Sequence, residues 1–202
     1  VEAVTRRTAP LARTRWDSAD GSAIPARRAR RSRRHPHAAK AAGVGCAVVT
    51  VSDTRGPDQD RSGDALARLL GRAGHAVRAR AWVRDEPAAI RRVVRGALRR
   101  RDVDAVVVTG GTGIGPRDRT PEALAPLMER TLPGFGELFR ALSMAQVGSA
   151  AWLSRALAGV AAGRLLVLLP GSTRACELAA RRLLIPELGH AVRLLGRLPG
   201  GA

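Results

Sequence analysis

Three unbroken apolar runs constrain this chain more than any other feature: "CAVVTVS" (46–52), "DAVVVTG" (104–110) and "RLLVLLPG" (164–171). Each is short, aliphatic and closed by a glycine, a proline or a polar turn, the pattern of a strand buried on both faces. Such strands belong to parallel sheets covered by helices, because an antiparallel sheet with one wet face alternates apolar and polar positions. The segments between them supply the helices. "SGDALARLLGRAG" (62–74) is expected to be a helix with Ser62 as N-cap and Gly74 as its stop. "HAVRARAWV" (75–83) alternates as a strand with one more polar face. "PAAIRRVVRGALRRR" (87–101) opens with proline at a first helical position and repeats Ile90, Val93, Val94, Ala97 and Leu98 on one side. "PEALAPLME" and "GFGELFRALSMAQ" are expected to start two more helices, and "STRACELAARRLLIPELGHAVRLL" follows the last apolar strand. The fold class is α/β, a three-layer sandwich with a mostly parallel central sheet.

A chain of 202 residues, 45% of them hydrophobic, can bury one sizeable core and still carry an extension. The composition changes near residue 43. Residues 1–40 hold ten arginines and Lys40 against Glu2, Asp17 and Asp20, which is +8 of the chain's +18, with little apolar periodicity. Such a segment cannot offset its ordering entropy by burial, so residues 1–43 are expected to form a disordered Arg-rich extension and residues 44–202 the domain. The extension reads as a dispensable tail, a basic arm for an acidic partner or an amphipathic targeting peptide. No apolar run approaches the roughly 18–20 residues of a membrane span, and no secretory h-region follows the early charges, so a cytoplasmic protein is expected. The charge suggests nucleic acid, but Lys40 is the only lysine, Tyr is absent, and Ala and Gly abound, a bias expected of a genome rich in G and C. Trp16, Trp82, Phe135, Phe139 and Trp152 are scattered and form no stacking platform, so specific nucleic-acid binding is not expected. Cys46 and Cys176 lack metal-ligand spacing and read as core residues.

In such sheets ligands bind outside the carboxyl ends of the strands. Ser52, Asp53, Asp58 and Asp60 follow the first strand, Asp85 and Glu86 the second, "TGGTGIGPRDRTP" the third, and Pro170, Gly171 and Ser172 the later apolar strand. Gly110, Gly111 and Gly113 lack a Cβ, so the backbone there can take positive φ and bring successive N–H groups to a phosphate, with Thr112 adding a hydroxyl. The loop matches neither GxxxxGK[ST] nor GxGxxG, and a tight turn that meets no ligand is the alternative. Asp118 lies between Arg117 and Arg119, whose charge favours the carboxylate. Mg²⁺ binds through one or two carboxylates together with substrate phosphates, and Asp85 is the candidate second ligand. The alternative is a surface ion pair of little energetic weight.

The motifs "VSDTR", "DRSG", "RDEPAAI", "TGGTGIGPRDRTPEAL", "PGFGELFR", "LSRALAGV" and "LPGST", in this order, resemble the molybdenum cofactor biosynthesis family that includes MogA, MoaB and the G domain of gephyrin. The resemblance covers roughly residues 44–195, and "LSRALAGV" with "LPGSTRAC" is more similar to the MoaB branch. It implies a molybdopterin-binding fold, often trimeric, that uses Mg-ATP to adenylylate molybdopterin, releasing pyrophosphate ahead of molybdate insertion. By the same resemblance the partners are molybdopterin, ATP, further copies of the chain and the molybdate-insertion enzyme. Asp85 and Asp118 fall on the family's functional aspartates, and Gly110, Gly111, Thr112 and Gly113 on its phosphate loop. Ser52, Asp53, Ser143, Ser154, Arg155, Pro170, Gly171 and Ser172 fall on segments that line its pocket. Some members of the MoaB branch lack the acidic residues that this chain retains. A non-catalytic molybdopterin-binding or scaffolding protein is the alternative.

Overall fold

The computed structural model describes residues 43–198. Apart from Gly43, the Arg-rich extension expected at the N-terminus lies outside the described residues. Strand β1 (Gly45–Val51) leads through a polar loop into helix α1 (Arg61–Arg72), followed by β2 (Ala76–Val83), α2 (Pro87–Arg99) and β3 (Ala105–Thr109). A short α3 (Thr120–Leu124), the two-residue β4 (Arg130–Thr131) and the long α4 (Pro133–Val147) come next. The last elements among the described residues are β5 (Leu157–Ala161), β6 (Arg164–Leu169), α5 (Thr173–Ala179) and α6 (Ile185–Leu194). The strands form one sheet in the order β2-β1-β3-β6-β5-β4. The first four are parallel neighbours, whereas β5 runs antiparallel to both β6 and the edge strand β4.

Every residue of β1 and β3 is buried, so both faces of these strands are covered. Successive side chains point to opposite faces of a sheet. Cys46, Val48, Val107 and Val167 accordingly pack with Leu66 and Leu70 of α1, Phe139 of α4, Cys176 of α5 and Leu188 of α6. Their neighbours Ala47, Val49, Val106, Val108, Leu166 and Leu168 pack on the other side with Ile90, Val94 and Leu98 of α2 and Leu124 of α3. The result is the expected three-layer α/β sandwich, and both cysteines are core residues. Among the described residues no helix is long and apolar enough to cross a membrane.

The expected element boundaries differ from the structure in four places. The N-cap of α1 is Asp60, not Ser62: its buried carboxylate accepts from the Gly63 N–H at 2.8 Å and from Thr50 Oγ1 at 2.7 Å. The helix of "PEALAPLME" lasts only to Leu124 before a 3-10 turn over Ala125–Leu127, since Pro126 has no N–H and its ring opposes the carbonyl four residues back. Between α5 and α6 the helix widens into a π turn over Ala180–Leu184, just before Pro186, where the same conflict arises. Strands β4 and β5 are additional elements, β5 joined to β6 by Ala162 and Gly163 at φ 49° and 67°, a two-residue hairpin with positive φ at both positions.

Candidate functional site

The chain crosses from β1 outward to β2 and then back past β1 to β3, so the loops after β1 and β3 leave the sheet in diverging directions. That is the topological switch point at which open α/β sheets hold their ligands. A cleft of about 710 Å³ opens there. Ser52, Asp53 and Arg55 line it from β1, Asp85 from β2, residues 110–113 with Arg117 and Asp118 from β3, and Pro170, Gly171 and Ser172 from β6.

Gly110 and Gly111 make the turn out of β3 at φ 105° and 63°. A Cβ at Gly110 would collide with the Val51 carbonyl, and one at Gly111 with Asp85 Oδ2 and Thr120 Oγ1. Any side chain larger than hydrogen is therefore strained there twice, by φ and by contact. Thr120 secures the turn from the far end of the loop, donating from Oγ1 to the Gly110 carbonyl at 2.8 Å and from its N–H to the Gly111 carbonyl at 3.0 Å. Thr112 lines the cleft although only 2% of its surface is exposed.

Asp85 packs against this turn. Its Oδ1 accepts from the Arg119 N–H at 3.2 Å, and its own N–H donates to Asp53 Oδ1 at 3.1 Å. Asp53 in turn pairs with Arg117 at 2.8 Å. Burial raises the Asp85 carboxyl above its ordinary range, the Arg119 N–H opposes that shift, and the carboxylates of Asp118 and Asp53 push it further up. Asp118 folds back over the glycine loop, its Oδ2 accepting from the Gly115 N–H at 2.9 Å. The Asp118 and Asp53 carboxylates thus both disfavour a charge on Asp85, with the Arg117 guanidinium opposing them, and a divalent cation would relieve that repulsion. Among the described residues no three of His, Cys, Asp and Glu converge into a metal cage. One or two carboxylates completed by ligand phosphates is the arrangement typical of Mg²⁺.

The other expected site residues divide into groups. Ser143, Ser154 and Ser172 line a second, more apolar pocket of about 470 Å³ that adjoins the cleft through Pro170 and Ser172. The Ser143 hydroxyl donates to the Phe139 carbonyl at 2.7 Å within α4, and Ser172 caps α5 by accepting from the Ala175 N–H at 3.3 Å. Ser154 Oγ accepts from the Ala156 N–H at 3.3 Å. Ser52 Oγ accepts from the Arg55 N–H at 3.1 Å and steadies the loop after β1. Arg155 does not line the cleft; its guanidinium is bound to the Gly113 and Asp118 carbonyls and to Glu122. Asp60 is committed to capping α1. Sequence reasoning gave Arg117 only the part of favouring the Asp118 carboxylate, whereas its side chain pairs with Asp53, and it assigned no part to Thr120 or Glu122, although both stand inside the quoted "PRDRTPEAL" motif.

A family profile described as a probable molybdopterin binding domain matches residues 47–190. Molybdenum cofactor biosynthesis protein B of Bacillus subtilis (strain 168) is 48% identical over 151 residues, covering 74% of this chain and 89% of that protein. The crystal structure of a molybdenum cofactor biosynthesis protein B aligns with a TM-score of 0.75 at 42% identity, covering 78% of this chain and 99% of that one. The molybdopterin biosynthesis Mog protein of Mycobacterium ulcerans aligns with a TM-score of 0.68 at 26% identity, covering 78% of this chain and all 100% of that one. The cleft, the sheet order and these matches define one class, an α/β domain of the probable molybdopterin-binding type. The chain belongs to the molybdenum cofactor biosynthesis family of MogA and MoaB, and it is more similar to the MoaB proteins.

Proposed function

We propose that this protein acts in molybdenum cofactor biosynthesis and that its cleft is a molybdopterin adenylyltransferase site. The observation that carries the reading is the convergence of Asp85 and Asp118 on a glycine turn of positive φ, within one cleft of about 710 Å³. In the proposed reaction a phosphate oxygen of molybdopterin attacks the α-phosphorus of ATP. The new P–O bond gives adenylyl-molybdopterin as the bond to the β-phosphate breaks and pyrophosphate leaves. Such a displacement requires alignment of two anions and neutralisation of their charge, and little covalent participation from the protein.

The residues present suit that demand. The glycine loop offers backbone N–H groups that hold a phosphate without a mobile side chain. Asp85 and Asp118 would hold Mg²⁺, which when bound neutralises phosphate charge and fixes the orientation of the nucleotide. Arg117 spans to Asp53 at 2.8 Å and is 72% exposed in its side chain, so it is available to an incoming phosphate. The adjoining apolar pocket beside Phe139 and Val147 suits a flat ring system, which the pterin and the adenine both supply. By the same reading the protein assembles as a homotrimer and hands its product to the molybdate-insertion enzyme.

The test is molybdopterin-dependent release of pyrophosphate from Mg-ATP, in wild type and in Asp85→Ala and Asp118→Ala variants of matched circular dichroism. The expected result is turnover in the wild type and a loss of about 10²-fold or more in each variant. Tight molybdopterin binding without wild-type turnover would overturn the enzyme and leave a carrier or scaffold.

A further inference from the structure

Arg155 lies two residues before β5 and approaches the glycine loop from behind the cleft. Its Nε–H donates to the Gly113 carbonyl at 2.8 Å and its Nη2–H to the Asp118 carbonyl at 2.6 Å. Its own backbone N–H donates to the Thr112 carbonyl at 3.1 Å, and Nη1 closes on Glu122. One residue therefore ties the start of the loop to its end. A trans peptide carries its C=O and N–H on opposite sides. Binding these three carbonyls to Arg155 turns the N–H groups of Gly113, Ile114 and Arg119 the other way. For Arg119 the consequence is visible, since its N–H donates to Asp85 Oδ1 at 3.2 Å. A continuous link runs from the guanidinium through the Asp118–Arg119 peptide to the carboxylate of Asp85.

We propose that Arg155 is the positioning residue of this site: it binds the carbonyl side of the glycine loop, so that the N–H side and Asp118 are presented to a phosphate-bearing ligand. The role in turnover rests on the adenylyltransferase reading, whereas the hold on the loop does not. Arginine is required because its planar fork reaches two carbonyls and a carboxylate at once, and a lysine ammonium is a single point on a flexible stem. The guanidinium does not itself line the cleft and touches it only through the carbonyls of Gly113 and Asp118, so it acts on the ligand through the loop it holds. Glu122 steadies the outer end of the fork, in an ion pair whose side chains are 33% and 50% exposed.

The experiment compares full-length wild type, Arg155→Ala, Arg155→Lys and Glu122→Gln, all checked for a native fold. Amide hydrogen exchange over residues 111–119, affinity for pyrophosphate and pyrophosphate release from Mg-ATP are measured on each. In Arg155→Ala the loop amides exchange faster, pyrophosphate binds more weakly and kcat falls about 10²-fold, the loss expected of a misplaced reacting geometry. Arg155→Lys recovers little of this, whereas millimolar methylguanidinium restores part of the turnover of Arg155→Ala and none of that of Asp118→Ala. Glu122→Gln keeps both carbonyl contacts and stays within about threefold of wild type, as expected for an exposed ion pair. Unchanged loop exchange in Arg155→Ala would overturn the proposal, and so would full replacement of Arg155 by Lys, which would show that charge alone suffices. Should the wild type bind pyrophosphate but turn nothing over, the enzyme reading fails by itself. Loop exchange and pyrophosphate affinity then still decide the role of Arg155.

Discussion

Asp85 and Gly111 occupy space that only this pair can share, because any Cβ at Gly111 would meet the Asp85 carboxylate. The same closeness withdraws Asp85 from water, and burial together with Asp118 and Asp53 disfavours its ionised form. A carboxyl whose folded pKa is raised binds its proton more tightly in the fold than in the unfolded chain. Stability is then greatest below the unfolded value of 3.8, declines as pH rises through the raised folded value, and carries the whole penalty above it. Asp85→Asn removes that penalty and keeps an oxygen for the Arg119 N–H. In metal-free buffer at pH 7 the variant is expected to have a higher urea midpoint than wild type, with the difference narrowing as pH falls. A lower midpoint at pH 7 would show that the carboxylate stabilises the loop. Turnover, by contrast, is expected to be lost under the proposed function, so the charge that would serve the reaction is one that opposes the metal-free fold.

The start of α1 shows how an element can be right and its boundary wrong. Ser62 stands immediately before an apolar periodic run, which is where a cap is sought. Asp60, two residues earlier, prevails because its carboxylate serves several donors at once: the Gly63 N–H, Thr50 Oγ1 and Ser62 Oγ, with Arg80 at 3.4 Å. Asp60→Ala would remove the cap and leave the buried hydroxyl of Thr50 without its acceptor. The expected destabilisation is about 3 kcal/mol, read from urea unfolding. Ser62→Ala is expected to cost about 1 kcal/mol or less, since only one hydrogen bond of 3.3 Å is lost. Equal losses in the two variants would return the cap to Ser62. The β5–β6 hairpin was harder to anticipate than the cap, for its turn is Ala162–Gly163. Alanine at positive φ is uncommon, so this dipeptide lacks the Asn-Gly or Asp-Gly signal by which such turns are found.

At the scale of the whole molecule, the surface of α4 and the turn after it stands out. Leu138, Met144, Val147 and Trp152 are 57%, 53%, 55% and 73% exposed. Large apolar side chains gathered in one segment differ from the single exposed residues found on most surfaces. If the protein forms the proposed homotrimer, this segment is where burial has most to gain. Sedimentation equilibrium is expected to give the mass of three chains, and Val147→Glu with Trp152→Glu is expected to shift it to one chain without loss of helical content. A wild type that sediments as one chain would end the trimer reading while leaving the cleft untouched.

The sequence by itself determined the layers and the edge at which ligands gather, because both follow from periodicities of two and 3.6 residues that act over a few positions. The runs at 46–52, 104–110 and 164–171 could be buried on both faces only in a covered parallel sheet, and the turns at their ends therefore shared one edge. Glycine at 110 and 111 was legible for the same reason, since positive φ is a local demand. The tertiary structure decided what each polar side chain in those loops touches. Arg117 meets Asp53 across 64 positions because β1 and β3 are neighbours, and Arg155 meets Gly113 across 42 because β5, antiparallel to β6, starts at the edge where β3 ends. An arginine that binds a ligand and one that binds the backbone carbonyls behind it are the same letter in a sequence. Only the antiparallel course of β5, which starts at that edge, distinguishes them.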